Sequence, residues 1–258
     1  MNLHVFGTRG SFPVFGKAFE IYGQATSCYV IKEDDYAIVL DCGSGLVAAA
    51  DYLFGCKKID VLLSHVHYDH IMGLFQNPEV CEGAEVCFYG NFSEWIVAEA
   101  ENSSTIFRIE ELTSCGDTID IQPQRKYLLD KGYMVSFRKS NHGDGTCMIE
   151  INKDQKRLCY TGDYEHYEGS DIVDYVRGCD LLLFDGSYNE LEYPKYKGWG
   201  HSAWEDGARI ALAADVKRLL ITHHAPGKDD RYLEEEEKKL RQMNEKASFA
   251  KEGMIYSL

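Results

Sequence analysis

The sequence predicts an α/β protein in which sheets are covered by helices. Short apolar runs that read as strands alternate along the chain with stretches of helical periodicity. Histidine and aspartate residues gather at the carboxyl ends of four such runs, where layered α/β proteins place their sites. The 258 residues, 45% of them hydrophobic, suit one large domain over 1–258 with a proper core.

Strand-like runs occupy residues 3–6, 27–31, 37–40, 59–64, 85–89, 134–139, 147–151, 157–161, 181–185 and 218–222. Helices are expected at 46–53, 70–75, 92–99, 172–178, 203–213 and 233–246. After the third run, Asp41-Cys42-Gly43-Ser44-Gly45 makes a turn whose glycines permit tight backbone geometry. No GxGxxG or GxxxxGK[ST] is present, so this turn is not read as a nucleotide loop. Ser202 stands at the expected start of helix 203–213 with Glu205 three residues on, the spacing of a capping box. That cap would set His201 at a positive helix end, beside a phosphate. The run Glu234-Glu235-Glu236-Glu237-Lys238-Lys239 reads as a solvated helix face with i,i+4 pairs. Segment 91–131 carries no readable motif and is expected to be a substrate-facing insert.

Composition narrows the partners. The formal net charge is −15, which suits a polyanionic substrate poorly and favours a small one. No run of 18 apolar residues exists, so no transmembrane helix is expected. The opening Met1-Asn2-Leu3-His4-Val5-Phe6 lacks the basic-then-apolar pattern of a signal peptide. Nine cysteines, none in a CxxC pair and several inside apolar runs, fit reduced thiols in the cytoplasm. There is no low-complexity linker and no repeat of solenoid length.

The most informative stretch is His65-Val66-His67-Tyr68-Asp69-His70, just after an apolar run. On an extended segment His65 and His67 point to the same side. Asp69 and His70 follow as the chain turns into a helix and can serve a second position. Imidazole nitrogen with carboxylate oxygen suits divalent metals such as Zn²⁺. Further along lie His142 in Ser140-Asn141-His142-Gly143-Asp144-Gly145, Asp163 in Thr161-Gly162-Asp163, and His223 in Thr222-His223-His224-Ala225-Pro226.

The order HxHxDH, His, Gly-Asp, His resembles the metallo-β-lactamase-fold hydrolases across nearly the whole chain. Gly200-His201-Ser202-Ala203-Trp204, the strand ending Thr222-His223-His224-Ala225-Pro226 and the opening Gly7-Thr8-Arg9-Gly10-Ser11-Phe12-Pro13 are similar to the phosphodiesterase branch that includes ribonuclease Z. The resemblance implies a four-layer αββα sandwich and two divalent metal ions, Zn²⁺ first, with Mn²⁺ or Fe²⁺ fitting nearly as well. It implies that His65, His67 and His142 hold one ion, that Asp69, His70 and His223 hold the other, and that Asp163 bridges them. Catalytic roles then fall to Asp69, to His201 as proton donor to the leaving group, and to Asp185 or Glu190 as the residue orienting His201. Asp41 is expected to brace the site by hydrogen bonding, His224 to be structural, and His166 to sit at the rim. Trp199, Trp204, Tyr188 and Tyr196 are equally readable as stacking platform or core.

The expected function is a phosphodiesterase cleaving small or cyclic phosphodiesters with a metal-bridging hydroxide. Nucleic acid and membrane are not expected as partners, and a homodimer is left open. A ribonuclease Z-like RNA endonuclease, or a thioester or lactone hydrolase, is the alternative. The latter two lack a Gly-His-Ser helix before the last ligand. A flavodiiron enzyme would have Glu in place of His67, and a class B β-lactamase would lack the bridging Asp-Gly pattern. A non-catalytic scaffold on this fold would have lost ligands, whereas all seven are here.

Overall fold

In the computed structural model, which describes residues 1–76, 82–101, 113–143 and 145–258, two seven-stranded sheets face each other. The first holds β1 (Asn2–Gly7), β2 (Cys28–Glu33), β3 (Tyr36–Leu40), β4 (Lys58–Leu62), β5 (Glu85–Gly90), β6 (Asp117–Asp120) and β14 (Ile255–Ser257), in the order β14-β1-β2-β3-β4-β5-β6. The second holds β7 (Lys126–Leu128), β8 (Met134–Lys139), β9 (Cys147–Lys153), β10 (Lys156–Tyr160), β11 (Leu181–Asp185), β12 (Leu219–Thr222) and β13 (Ala247–Phe249), in the order β13-β12-β11-β10-β9-β8-β7. Each sheet is antiparallel at one end and parallel at the other, the change falling at β3 in the first and at β10 in the second.

The alternation of side chains along each strand builds the layers. Tyr29, Ile31, Ile38 and Leu40 point inward and meet Ile149, Leu158, Leu181 and Leu183 of the opposite sheet. Val30, Val39 and Val61 point outward, under α1 (Gly45–Leu53) and α2 (Tyr68–Gln76). On the other side Leu182, Phe184 and Ile221 point outward, under α4 (Ile172–Val176), α5 (Trp204–Ala213) and α6 (Asp230–Met243). α3 (Phe92–Glu101) follows β5 and packs Phe92 and Trp95 on the first sheet. The result is the four-layer αββα sandwich. No helix among the described residues is long and apolar enough to cross a membrane.

The ten expected strands and six expected helices are all present, with ends shifted by up to three residues. The four strands absent from the sequence reading, β6, β7, β13 and β14, are the four sheet edges. They are three or four residues long, as short edges that resist pairing with other chains are. Asp144, Cys81 and residues 102–112 of the expected insert lie outside the described residues.

Two local expectations are corrected. Ser202 does not cap α5: the cap position is Ala203 with no side-chain bond. The Ser202 hydroxyl instead donates to the Tyr164 carbonyl at 2.6 Å and accepts from the His166 N–H at 3.0 Å, and Glu205 accepts from the Glu190 N–H. Tertiary contacts have taken both groups of the box. The acidic run of α6 is not all solvated either. Glu236 and Glu237 are buried, Glu236 accepting from Trp204 Nε1 at 2.8 Å and Glu237 from the Tyr22 hydroxyl at 2.5 Å.

The buried glutamates give a stability test. Glu237→Ala leaves the Tyr22 hydroxyl, Arg241 and Lys251 without their shared acceptor and should cost about 1–3 kcal/mol in urea unfolding. Glu235→Ala, at an exposed position of the same helix, should stay within about 0.5 kcal/mol. Equal losses would contradict this placement of the run.

Candidate metal centre

The candidate residues converge at the carboxyl ends of strands from both sheets. β4 delivers His65 and His67, whose rings sit 4.5 Å apart. Asp69 and His70 lie in the first turn of α2. His142 follows β8, Asp163 follows β10, Asp185 ends β11 and His223 follows β12.

Two groups result. His65, His67, His142 and Asp163 bring one donor atom each within 4.8 Å of one another, and so do Asp69, His70, Asp163 and His223. Asp163 belongs to both and divides its oxygens between them. Its Oδ2 lies 3.4 Å from His65 Nε2 and 3.6 Å from His142 Nε2. Its Oδ1 lies 3.1 Å from both His70 Nε2 and His223 Nε2. Asp69 Oδ2 sits 3.1 Å from His223 Nε2 and is oriented by the Ser11 N–H at 2.7 Å.

The second ring nitrogens are tied outward, leaving the others to face the centre. His70 Nδ1 is 2.7 Å from Asp41 Oδ2, His65 Nδ1 is 3.0 Å from Ser64 Oγ, and His142 Nδ1 is 2.8 Å from the Gly200 carbonyl. Asp41 also accepts from the Ser64 N–H, the Ser64 hydroxyl and the Tyr160 hydroxyl, each at 2.7 Å. Because Tyr160 belongs to the second sheet, this carboxylate ties the two sheets together directly beneath the centre. The backbone closes in as well. Gly10 packs so near the His223 ring that an added Cβ would lie 2.2 Å from it, and at Gly200 a Cβ would lie 2.2 Å from His142 Nδ1.

A third cluster adjoins the second. His201 Nδ1 is 2.8 Å from Asp185 Oδ2, and its ring stacks 4.7 Å from that of His223. Asp185 is fully buried and accepts further from the Tyr164 N–H and the Ser187 hydroxyl. Ser187 Oγ in turn lies 2.8 Å from His223 Nδ1, so Asp185 braces both histidines.

Burial and charge compete throughout. Burial lowers the basicity of His65 and His142. At His70 burial acts the same way, but Asp163, Asp69 and Asp41 together outweigh it and raise its pKa well above the usual value. Burial would raise Asp163, yet the surrounding histidines hold it well below the carboxylate range. His201 is opposed by burial and raised by Asp185 to about 9.

The donor set fits divalent cations. His65 Nε2 and Asp163 Oδ1 are buried polar atoms without a hydrogen-bond partner. Such orphans are costly in a protein interior; they face different groups, and a cation in each group would satisfy them. Nitrogen and carboxylate donors without a cysteine match the preference of Zn²⁺ and its neighbours.

Other sequence-based assignments separate here. Asp41 has the bracing contacts expected of it. His224 points away and is held by the Ala250 carbonyl at 2.9 Å among Tyr22 and Phe249. His166 lines a cavity of about 580 Å³ with Glu165 and Lys197, outside the three clusters. Glu190 does not orient His201: its carboxylate is exposed and pairs with Arg209 at 2.6 Å. Ser64, Tyr160 and Ser187 were not anticipated. Ser187 had the weak signal of standing two residues past Asp185 at a strand exit, and Tyr160 had none.

The family is now evident. A model of the beta-lactamase superfamily domain matches residues 36–224, and the chain belongs to this family. It is a metallo-β-lactamase-fold hydrolase resembling ribonuclease Z. The probable metallo-hydrolase YhfI of Bacillus subtilis is 26% identical over 227 residues, covering 86% of this chain and 86% of that protein. The crystal structure of YhfI gives a TM-score of 0.78 at 21% identity, over 99% of this chain and 98% of that one. Ribonuclease Z of Saccharolobus solfataricus is 25% identical over 249 residues, 78% of this chain and 83% of that protein. A diphosphatase from the PhnP family shares the fold with a TM-score of 0.72 at 19% identity, over 100% of this chain and 97% of that one.

Gly200 offers a test of how the centre is held. Gly200→Ala adds a Cβ against His142 in a backbone at φ +89°, so the imidazole must shift. Divalent-ion affinity, measured by titration, should fall about 10- to 100-fold, with the far-UV spectrum unchanged. Full affinity would show that His142 is not held from this side.

Proposed function

We propose that this chain is a dinuclear metal-dependent phosphodiesterase acting on small or cyclic phosphodiesters. The observation that carries the reading is the His201–Asp185 pair, seated against His223 and 3.9 Å from Asp163. In this reading His65, His67 and His142 would hold one ion, Asp69, His70 and His223 would hold the other, and Asp163 would be shared between them. Such a pair of ions activates a water and neutralises charge on the substrate oxygens.

The protein's own groups do the rest. Asp41 and Ser64 fix the imidazole planes of His70 and His65. Asp185 accepts from His201 Nδ1, which leaves Nε2 to face the substrate. Against its burial, Asp185 raises the basicity of His201, which favours the protonated ring. It can hydrogen-bond a phosphate oxygen and pass that proton to the departing alkoxide. A thioester or lactone hydrolase has less use for this proton donor, which is why the phosphodiester reading is preferred. The net charge of −15 favours a small substrate over a polyanion. We further place the chain in the cytoplasm as a single domain: eight of its cysteines are free thiols, six of them buried, as a reducing compartment keeps them.

The test compares leaving groups. His201→Ala should lower kcat on an alkyl phosphodiester about 10²–10⁴-fold, the range of a general acid. Bis(p-nitrophenyl) phosphate, whose leaving group needs no proton, should lose far less. Equal losses would make His201 a phosphate binder only, and no loss would remove it from the mechanism. In the same panel a precursor transfer RNA should be cleaved poorly; efficient, salt-sensitive cleavage would favour a ribonuclease Z-like activity instead.

A further inference from the structure

Three aromatic side chains leading away from His201 have no part in the chemistry above. Tyr188 and Tyr196 lie face to face, centroids 4.2 Å apart and planes within 3°. Trp199 meets Tyr196 edge-on at 5.4 Å, and Tyr188 meets His201 edge-on at 6.2 Å. The row is therefore continuous from the proton donor to Trp199. Trp204, the fourth aromatic of this region, begins α5, is buried in the core beneath it and takes no part.

Core packing does not account for the row. Trp199 is 65% exposed and Tyr196 half-buried, so the outer end presents ring surface to solvent. Exposed large aromatic surface beside an active site is a common place for ligand rings. The row is also anchored to the centre at both ends. Tyr188 is fixed by backbone bonds to Ser202 and Trp204, on the far side of His201. Trp199 directly precedes Gly200, whose carbonyl accepts from His142. Two residues of chain span at most about 7 Å, so the Trp199 backbone cannot be farther than that from His201.

The segment carrying Tyr196 and Trp199 is strapped down. Glu165 Oε1 accepts from the Tyr193 hydroxyl and the Gly198 N–H, both at 2.7 Å, and Oε2 accepts from the Gly200 N–H at 2.8 Å. The Trp199 N–H also donates to the Tyr196 carbonyl at 3.0 Å. A platform set in place before binding spends little entropy in receiving a ring. Lys195 and Lys197 flank Tyr196, placing positive charge on this segment of an otherwise acidic chain.

We propose that Tyr188, Tyr196 and Trp199 form a stacking shelf for the planar ring of the substrate, and that the substrate class is a small nucleotide phosphodiester whose base lies on the shelf. The assignment rests on the phosphodiesterase reading for its chemistry, but the shelf can be tested without turnover. Stacking on aromatic faces accepts any base, so the shelf selects for a base without selecting which one.

The test uses two readouts on the full chain. Trp95 and Trp204 are buried, leaving Trp199 as the exposed tryptophan. Titration with adenosine monophosphate should quench tryptophan fluorescence saturably, and Trp199→Ala should abolish that quench. In turnover, KM is compared for a nucleoside 2′,3′-cyclic phosphate and for ethylene phosphate, the same five-membered ring without a base. Trp199→Ala should shift the ratio of the two KM values about 5- to 100-fold, the loss of one stacked base, and Trp199→Phe should restore most of it. If ethylene phosphate and cyclic nucleotide are cleaved but no saturable quench occurs and the ratio does not move, the shelf is refuted while the phosphodiesterase reading stands. If the Trp199-dependent quench is present and no phosphodiester is cleaved, the shelf stands and the phosphodiesterase reading falls.

Discussion

A single buried carboxylate, Asp163, faces five imidazoles: His65, His70, His142, His201 and His223 all lie within 4 Å of its oxygens. Among the described residues no other carboxylate is faced by so many imidazoles. Isolated ionised groups are expensive to bury and persist only when partnered. The arrangement therefore requires a framework stiff enough to hold five imidazoles against one carboxylate, and much of the fold can be read as that framework. The parallel halves of the two sheets end side by side, so that Asp163 from one and His65 from the other meet without a long loop.

The framework acts through hydrogen bonds to the outer ring atoms. Asp41 takes four donors, one of them Tyr160 from the opposite sheet, and its residue sits at φ +55°, a conformation a non-glycine residue adopts only when its surroundings hold it. Asp185 plays the matching part on the second sheet, through His201 and through Ser187 to His223. His223 is itself at φ +61°. Left-handed backbone at the brace Asp41 and at His223 is what is expected where geometry serves chemistry more than stability.

What could be read from the sequence was whatever a short segment decides. The histidine cluster 65–70 declared itself because ligand types and strand-then-helix periodicity lie within one stretch. The long inner strands did so because both faces are buried and their runs are apolar. Short polar edges such as Asp117–Asp120 carry no such pattern, and their pairing comes from the sheet they join. The capping box at Ser202 failed because the Tyr164 carbonyl and His166 N–H, distant in sequence, claimed the hydroxyl. Glu236 and Glu237 looked solvated because nothing local shows that Trp204 and Tyr22 would turn their polar atoms toward them. Tyr160 and Ser187 were invisible for the same reason: their roles exist only once the two sheets are face to face.

The central claim is that Asp163 is shared between two cation sites, and metal stoichiometry tests it most directly. Equilibrium dialysis of the purified chain against Zn²⁺ or Mn²⁺, followed by elemental analysis, should give two ions per chain. Asp163→Ala should retain no more than one, with secondary structure preserved. Two tightly held ions in the Asp163→Ala protein, or only one in the parent chain, would contradict the account.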